Sequence, residues 1–231
     1  MADNDNVVSK RKLQLMTTFP NSPRLLKGGI VLIDPTTAAV QRIITLQYNP
    51  DTITRSLQVQ GAGSEGGDRS EALRLKGPPV ETIKVEAEID ATDQLEIADG
   101  AAAEVGLHPQ LAVLELIIYP TSAQLQANNN LARAGTLEIL PMEAALTIFV
   151  WSRQRIMPVR LTEFSITEEA FDTALNPIRA KVHLGMRVLS VNDLAFDHKG
   201  ASLFMSYLQT KEQLARRAQG GTFSALGITG I

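Results

Sequence analysis

Residues 177–190, PIRAKVHLGMRVLS, decide the fold. Ile178, Ala180, Val182, Leu184, Met186 and Val188 fall in one phase of a two-residue period, and Arg179, Lys181, His183, Gly185 and Arg187 in the other. Successive side chains point to opposite faces of a strand, so this pattern reads as a half-buried antiparallel strand about twice the usual length. A strand that long, apolar on one face and cationic on the other, belongs to the wall of a large curved sheet or barrel. Its cationic face must look at water, at a lumen or at another subunit. The segment argues for a building block before it argues for an enzyme.

Composition is compatible with that reading. A chain of 231 residues suits one β-rich domain with appendages, or two small domains, and its 44% hydrophobic content is enough for a sizeable core. The net charge of −3 offers no overall attraction to nucleic acid or to an anionic membrane. With no cysteine, disulfides and thiolate chemistry are excluded. The first residues, MADNDNVVSKRKLQL, place acids before a basic triplet and contain no apolar core, so no signal peptide is expected. The apolar run at residues 111–119 is too short to span a bilayer. The expectation is a soluble chain made and assembled in the cytoplasm.

Outward from the central strand, the chain divides into an arm (residues 1–24), a β-rich body (25–195) and a helical tail (196–231). The arm carries the basic patch Lys10, Arg11 and Lys12. Residues 29–34 and 40–48 read as a hairpin about Asp34-Pro35-Thr36-Thr37, and Pro50 stops or bends the second strand. A third strand, 52–60, is expected to turn Ile53, Leu57 and Val59 inward. A Gly- and Ser-rich loop (61–79) leads to a strand at 81–90, in which Ile83, Val85, Ala87 and Ile89 alternate with Thr82, Lys84, Glu86, Glu88 and Asp90.

Asp93 is placed to cap a helix running to about residue 105. His108-Pro109 opens another, with Leu111, Leu114, Ile117 and Ile118 at helical spacing, ending at Tyr119-Pro120. Residues 123–135, with three consecutive asparagines, read as a loop or a frayed helix. Strands follow at 144–152, 158–167 and 177–190. Then Leu203, Phe204, Tyr207, Leu208, Lys211 and Leu214 mark an amphipathic helix to about residue 218, stopped by Gly220-Gly221.

Chemistry-bearing motifs are missing. There is no phosphate-binding GxxxxGK[ST], no GxGxxG after a strand, no HExxH and no GxSxG. His108, His183 and His198 lie in different elements without ligand spacing, and Gly61-Ala62-Gly63 lacks the lysine and helix start of a phosphate loop. Glu86, Glu88 and Asp90 sit about 7 Å apart along one strand face, which reads as a solvated surface. Trp151 ends a strand and is expected in the core. No catalytic, cofactor-binding or metal-binding residue is assigned, and no cofactor is expected.

The order of elements carries a resemblance. TLQYNP enters a long loop, a strand runs into IDATD, and a leucine-spaced helix follows. Then come PMEAALTIFVW, VRLTEFSIT and FDTALNPIRAKVHL. Over residues 28–192 this resembles the tube-protein domain of contractile injection systems, the phage-tail-like particles of bacteria. Tyr48, Asn49 and Pro50 match a Phe/Tyr-Asn-Pro motif of that family. Phe171, Pro177, Arg179 and Ala180 match its final hairpin. Asn176 stands where the family carries Gly, and is expected to tolerate a left-handed backbone there. Residues 196–231 lack the peptidoglycan-binding LysM module that ends many members.

The resemblance implies a mainly β, phage-tail-tube-like β-sandwich or split barrel, with a flanking α-helix and here a C-terminal helical extension. It implies a non-enzymatic, homohexameric ring, either a repeating inner-tube subunit or a baseplate adaptor joining tube to spike. The appendages favour the adaptor. Its partners would be copies of itself, the inner-tube protein, the spike and baseplate wedge or sheath proteins, without nucleic acid or membrane insertion. In such a ring Arg179, Lys181, His183 and Arg187 would line a wet lumen or meet acids on the next subunit. Leu203, Phe204, Tyr207, Leu208 and Leu214 would dock on the chain's own body or on a neighbouring protein. An unrelated β-sandwich hydrolase or sugar-binding module is the alternative.

Overall fold

A computed structural model describes residues 25–61, 74–96, 100–135 and 144–231. The arm at 1–24 and most of the loop at 61–79 lie outside the described residues. Seven strands form one antiparallel sheet: β1 (Gly29–Ile33), β2 (Val40–Thr45), β3 (Ile53–Gln58), β4 (Val80–Asp90), β5 (Leu146–Ser152), β6 (Arg155–Phe171) and β7 (Pro177–Val188). Their order across the sheet is β2-β1-β5-β6-β7-β4-β3. Five helices accompany them: α1 (Thr92–Glu96), α2 (Gly100–Val105), α3 (His108–Glu115), α4 (Ser122–Arg133) and α5 (Lys199–Arg217). None is long and apolar enough to cross a membrane.

The alternation of residues 177–190 becomes β7, an interior strand between β6 and β4. Ala180, Val182, Leu184, Met186 and Val188 are buried, and they share a core with Ile83 and Val85 of β4. Leu107, which precedes α3, and Leu111 and Leu114 within it close over this core, as do Phe204 and Tyr207 of α5. Phe149 and Trp151 stack at 6.3 Å within and against the same core, as expected for the tryptophan.

β6 is longer than its own alternation suggests, at 17 residues. It serves two partners: Arg155–Val159 pairs β5, and Val159–Phe171 pairs β7. A bulge between Leu161 and Glu163 lets it change direction. Gly185 lies opposite the bulge, where an added Cβ would come within 2.7 Å of the Glu163 Cβ. Only glycine admits so close an approach.

β2 and β3 form the two edges of the sheet. Just beyond β2, the Gln47 amide donates to the Asp90 carbonyl at 2.7 Å and accepts from the Asp90 N–H at 3.0 Å. A side chain thus takes the place of a strand partner at the end of β4, past the point where β3 stops, and draws the two sides of the sheet together.

Four local expectations are corrected. Residues 122–133 are a regular helix, because Thr121 and Gln124 form a complete capping box at its start. Asp93 sits within the first turn of α1 rather than capping it; the Asp90 carboxylate accepts from the Thr92 N–H at 2.7 Å instead. Leu57 and Val59 are exposed rather than inward, since β3 is an edge strand and only Ile53 packs against the core. Left-handed backbone occurs at Ala170 (φ 52°), near the end of β6, and at Leu175 (φ 66°) in the β6–β7 turn, not at Asn176. Asn176 acts through its side chain, donating to the Asp172 carboxylate at 2.9 Å and the Glu104 carbonyl at 3.2 Å.

Candidate functional site

The face of the sheet opposite the core is charged, and its register explains its pairing. Across β4 and β7, Glu86 faces His183, Glu88 faces Lys181 and Asp90 faces Arg179; across β6 and β7, Glu169 faces Arg179 and Ser165 faces His183. Side chains directly opposite on antiparallel strands lie within reach of one another. Arg179 donates to Asp90 at 2.9 Å and lies 3.8 Å from Glu88. Lys181 reaches Glu169 at 3.2 Å, His183 lies 3.4 Å from Glu86, and Lys84 pairs with Glu163 at 2.8 Å. Arg187, at the end of the row, pairs with Asp193 beyond the strand at 2.5 Å.

The cationic row was expected to look at water, at a lumen or at another subunit, and its pairing within the chain adds to that reading without deciding among the three. Each of its four members meets an acid of its own chain. Acids of β4 meet Arg179 and His183, Glu169 of β6 meets Lys181, and Asp193 beyond β7 meets Arg187.

Electrostatic shifts follow the pairs. Hydrogen bonding to Thr92, ahead of the pairing with Arg179, holds the Asp90 carboxyl below its usual range. Lys84 does the same for Glu163. Asp90 raises the Arg179 guanidinium, and Glu169 raises the Lys181 ammonium. Each charged form is therefore favoured.

A shallow groove of about 280 Å³ runs along this face, lined by Thr52, Lys84, Glu86, Glu163, Ser165 and His183 among others. Ser165, His183 and Glu86 stand in register on three adjacent strands. That order mimics a nucleophile, base and orienting acid. Catalysis would need a hydroxyl–imidazole hydrogen bond and donors aimed at an oxyanion. Ser165 makes no hydrogen bond to His183 among the described residues, and the N–H groups of the flanking strands are directed along the sheet into its ladders. No group of three His, Asp or Glu suited to a metal ion occurs among the described residues. The remaining histidines are local: His108 begins α3, and the His198 Nδ1 accepts from the Gly200 N–H at 3.0 Å as the cap of α5.

The family-motif residues do structural work. Asn49 accepts from the Gly28 N–H at 2.9 Å and donates to the Leu26 carbonyl at 2.8 Å, fixing the chain as it enters β1. A Cβ at Gly28 would meet the Trp151 ring at 2.6 Å, so the entry lies hard against the core. Tyr48 is exposed beside this clamp, and Pro50 follows it. Pro177 is fully buried and its carbonyl accepts from the Leu107 N–H at 2.9 Å; Ala180 is buried, whereas Phe171 is half exposed.

The helix stripe is largely spoken for. Phe204 and Tyr207 enter the main core, Leu203 packs against the cluster of Ile33, Leu146 and Ile148, and Leu208 lies partly buried. Only Leu214 remains substantially exposed, at 43%. Of the two placements expected for the stripe, its apolar side chains take the first and pack on the chain's own sheet.

Sequence reasoning missed the best-built polar cluster. Glu81, at the start of β4, is only 3% exposed. Arg55 of β3 donates to it through Nε at 2.8 Å, Lys211 of α5 through Nζ at 2.9 Å and the Tyr207 hydroxyl at 3.0 Å. Lys211 also sits 4.0 Å above the Tyr207 ring. Burial pushes the Glu81 carboxyl up, but Lys211 and Arg55 outweigh it and hold the group below its ordinary range. The signal was available, since Glu81 is in phase with Ile83, Val85 and Ala87. No protein-family model matches the chain, and no curated protein matches it significantly.

Proposed function

We propose that this chain is a non-enzymatic ring subunit of a contractile injection system, a baseplate adaptor that joins the inner tube to the spike. The observation that supports this reading is the pair of sheet edges left unpaired among the described residues. Edge strand β2 exposes Val40 (60%) and Ile43 (65%), and edge strand β3 exposes Leu57 (50%). Edges bearing apolar side chains invite pairing, and natural proteins blunt or cover them. Head-to-tail pairing of one edge with the other in successive copies covers both, and closes when the rotation per copy divides a full turn.

On this reading the curled sheet is a split barrel of the tail-tube type, and β6 and β7 form the tall inner wall of the ring. A 17-residue strand rises about 56 Å. The charged face then lines the lumen. Because its cations and carboxylates pair within the chain, it presents a wet, nearly neutral wall that grips neither polyanions nor polycations. The other partners are the spike, the inner-tube protein and the baseplate wedge or sheath, and no cofactor is required.

Because α5 packs on its own sheet, the adaptor role rests on the arm, the 61–79 loop and the tail beyond residue 218 as the contacts to other proteins. Electron microscopy of the particle tests the proposal. The expected result is a single axial ring of six copies between tube and spike. Copies repeated along the whole tube would make the chain its repeating subunit. A monomer outside the axial column would overturn the ring itself.

A further inference from the structure

Among the described residues, Glu81 is the one buried charged side chain, and a ring of edge-paired copies does not by itself account for it. Its ligands come from two elements with different neighbours. Arg55 belongs to β3, an edge strand that pairs with β4 alone among the described residues, and Lys211 belongs to α5, which lies along β6. The Tyr207 hydroxyl joins the two sides, accepting from Arg55 Nη2 at 3.0 Å while donating to Glu81. Every titratable group facing the carboxylate is thus on β3 or α5.

We propose that Glu81 is a shared clasp coupling the edge strand β3 to helix α5, so that a strand added at that edge alters how firmly the helix is held. A buried carboxylate with one cation is far less well compensated than one with two. A partner strand that draws Arg55 outward leaves Lys211 and Tyr207 alone on Glu81, and the hydrogen-bond network tying α5 to the sheet loosens. Linkage makes the effect reciprocal: lifting α5 removes Lys211 and weakens the hold on Arg55. The α5 residues beyond Lys211, which are all exposed, would respond first. This inference stands whether or not the copies form a ring, because it concerns contacts within one chain.

Amide hydrogen exchange on the full chain tests it, using Arg55→Gln and Lys211→Met. Both side chains are partly solvent-exposed, at 25% and 36%, so both variants keep the core intact. The expected result is crossed: Arg55→Gln lowers protection in α5 between residues 204 and 217 by at least about threefold, and Lys211→Met does the same in β3. The double variant loses less than the product of the single effects, because both act through one carboxylate. Glu81→Gln loosens both elements together while the β6–β7 ladder keeps its protection. Effects confined to the element that carries each substitution would overturn the coupling. So would a uniform loss across the whole sheet, which would make the cluster a general support of the fold.

Discussion

Strand β4 carries two kinds of carboxylate, separated by phase alone. Glu81 is in phase with Ile83 and Val85, is buried, and takes three donors from two other elements. Glu86, Glu88 and Asp90 occupy the opposite phase, and each faces a cation or imidazole across the sheet on β7. A shift of one residue along a strand moves a side chain from one face to the other. The same chemical group is therefore enclosed by donors of other elements in one phase and paired across the sheet surface in the other. The contrast also separates two roles: the buried cluster ties β3, β4 and α5 together, and the ladder keeps the charged face wet and internally paired.

The largest expected effect comes from breaking the buried side of this contrast. Glu81→Ala strands Arg55, Lys211 and the Tyr207 hydroxyl around a cavity, and removing one member of a buried ionic cluster costs about 3 kcal/mol. Chemical denaturation of the purified chain measures it. The pH dependence follows from the lowered Glu81 pKa. A depressed carboxyl contributes stability that is present above its unfolded pKa and is lost as pH falls through its folded pKa. The difference between wild type and Glu81→Ala should hold near neutrality and shrink on acidification below the ordinary carboxylate range. A difference that grows in acid would refute the assignment.

Gly185→Ala tests how tightly the charged face is built at the β6 bulge. Alanine ordinarily gains slightly over glycine in a strand. Here its Cβ would meet the Glu163 Cβ at 2.7 Å between two paired strands, so the variant should lose about 2 kcal/mol. Asn49→Ala comes next. It leaves the Gly28 N–H and the Leu26 carbonyl without their side-chain partner, for an expected loss of about 1 kcal/mol. Asn49→Asp should restore only the Gly28 contact, because a carboxylate cannot donate to the Leu26 carbonyl. Equal stability of the two Asn49 variants would mean that the clamp acts through its donor side alone.

Much of the architecture was legible because period-2 alternation reports burial directly. The strands at 81–90, 144–152 and 177–190, the hairpin at 29–48 and the helix opened by His108-Pro109 all appear in the structure close to the expected bounds. What failed depended on tertiary position. Leu57 and Val59 keep an inward pattern but lie at the end of an edge strand, which no sheet neighbour covers. α4 was obscured by its asparagines, whose low helical propensity is offset by the Thr121–Gln124 box. The cationic row on β7 was legible, but its compensation was not, since Glu86, Asp90 and Glu169 become its neighbours only once register is known. Glu81 was the avoidable miss: a charge in the buried phase of a strand announces a partner elsewhere in the fold.

The smallest expected effect belongs to the ladder, and it decides whether that face is built from specific pairs or from balanced charge. Exposed ion pairs are screened and their side chains lose conformational freedom on pairing, so each contributes little. Glu88→Gln should shift the thermal midpoint by about 1 °C or less. Glu88→Lys is more informative, because it sets a like charge opposite Lys181 and beside Arg179. It should lower the midpoint more than Glu88→Gln does, and added salt should recover the extra loss because the repulsion is exposed. Combining Glu88→Lys with Lys181→Glu reverses the pair while keeping the sum of charges, and should return the midpoint to near the wild-type value at every salt concentration. If the double variant instead stays as low as Glu88→Lys alone, the position of each charge matters, through Glu169 on one side and Arg179 on the other. The outer face would then be as specifically constructed as the Glu81 cluster beneath it.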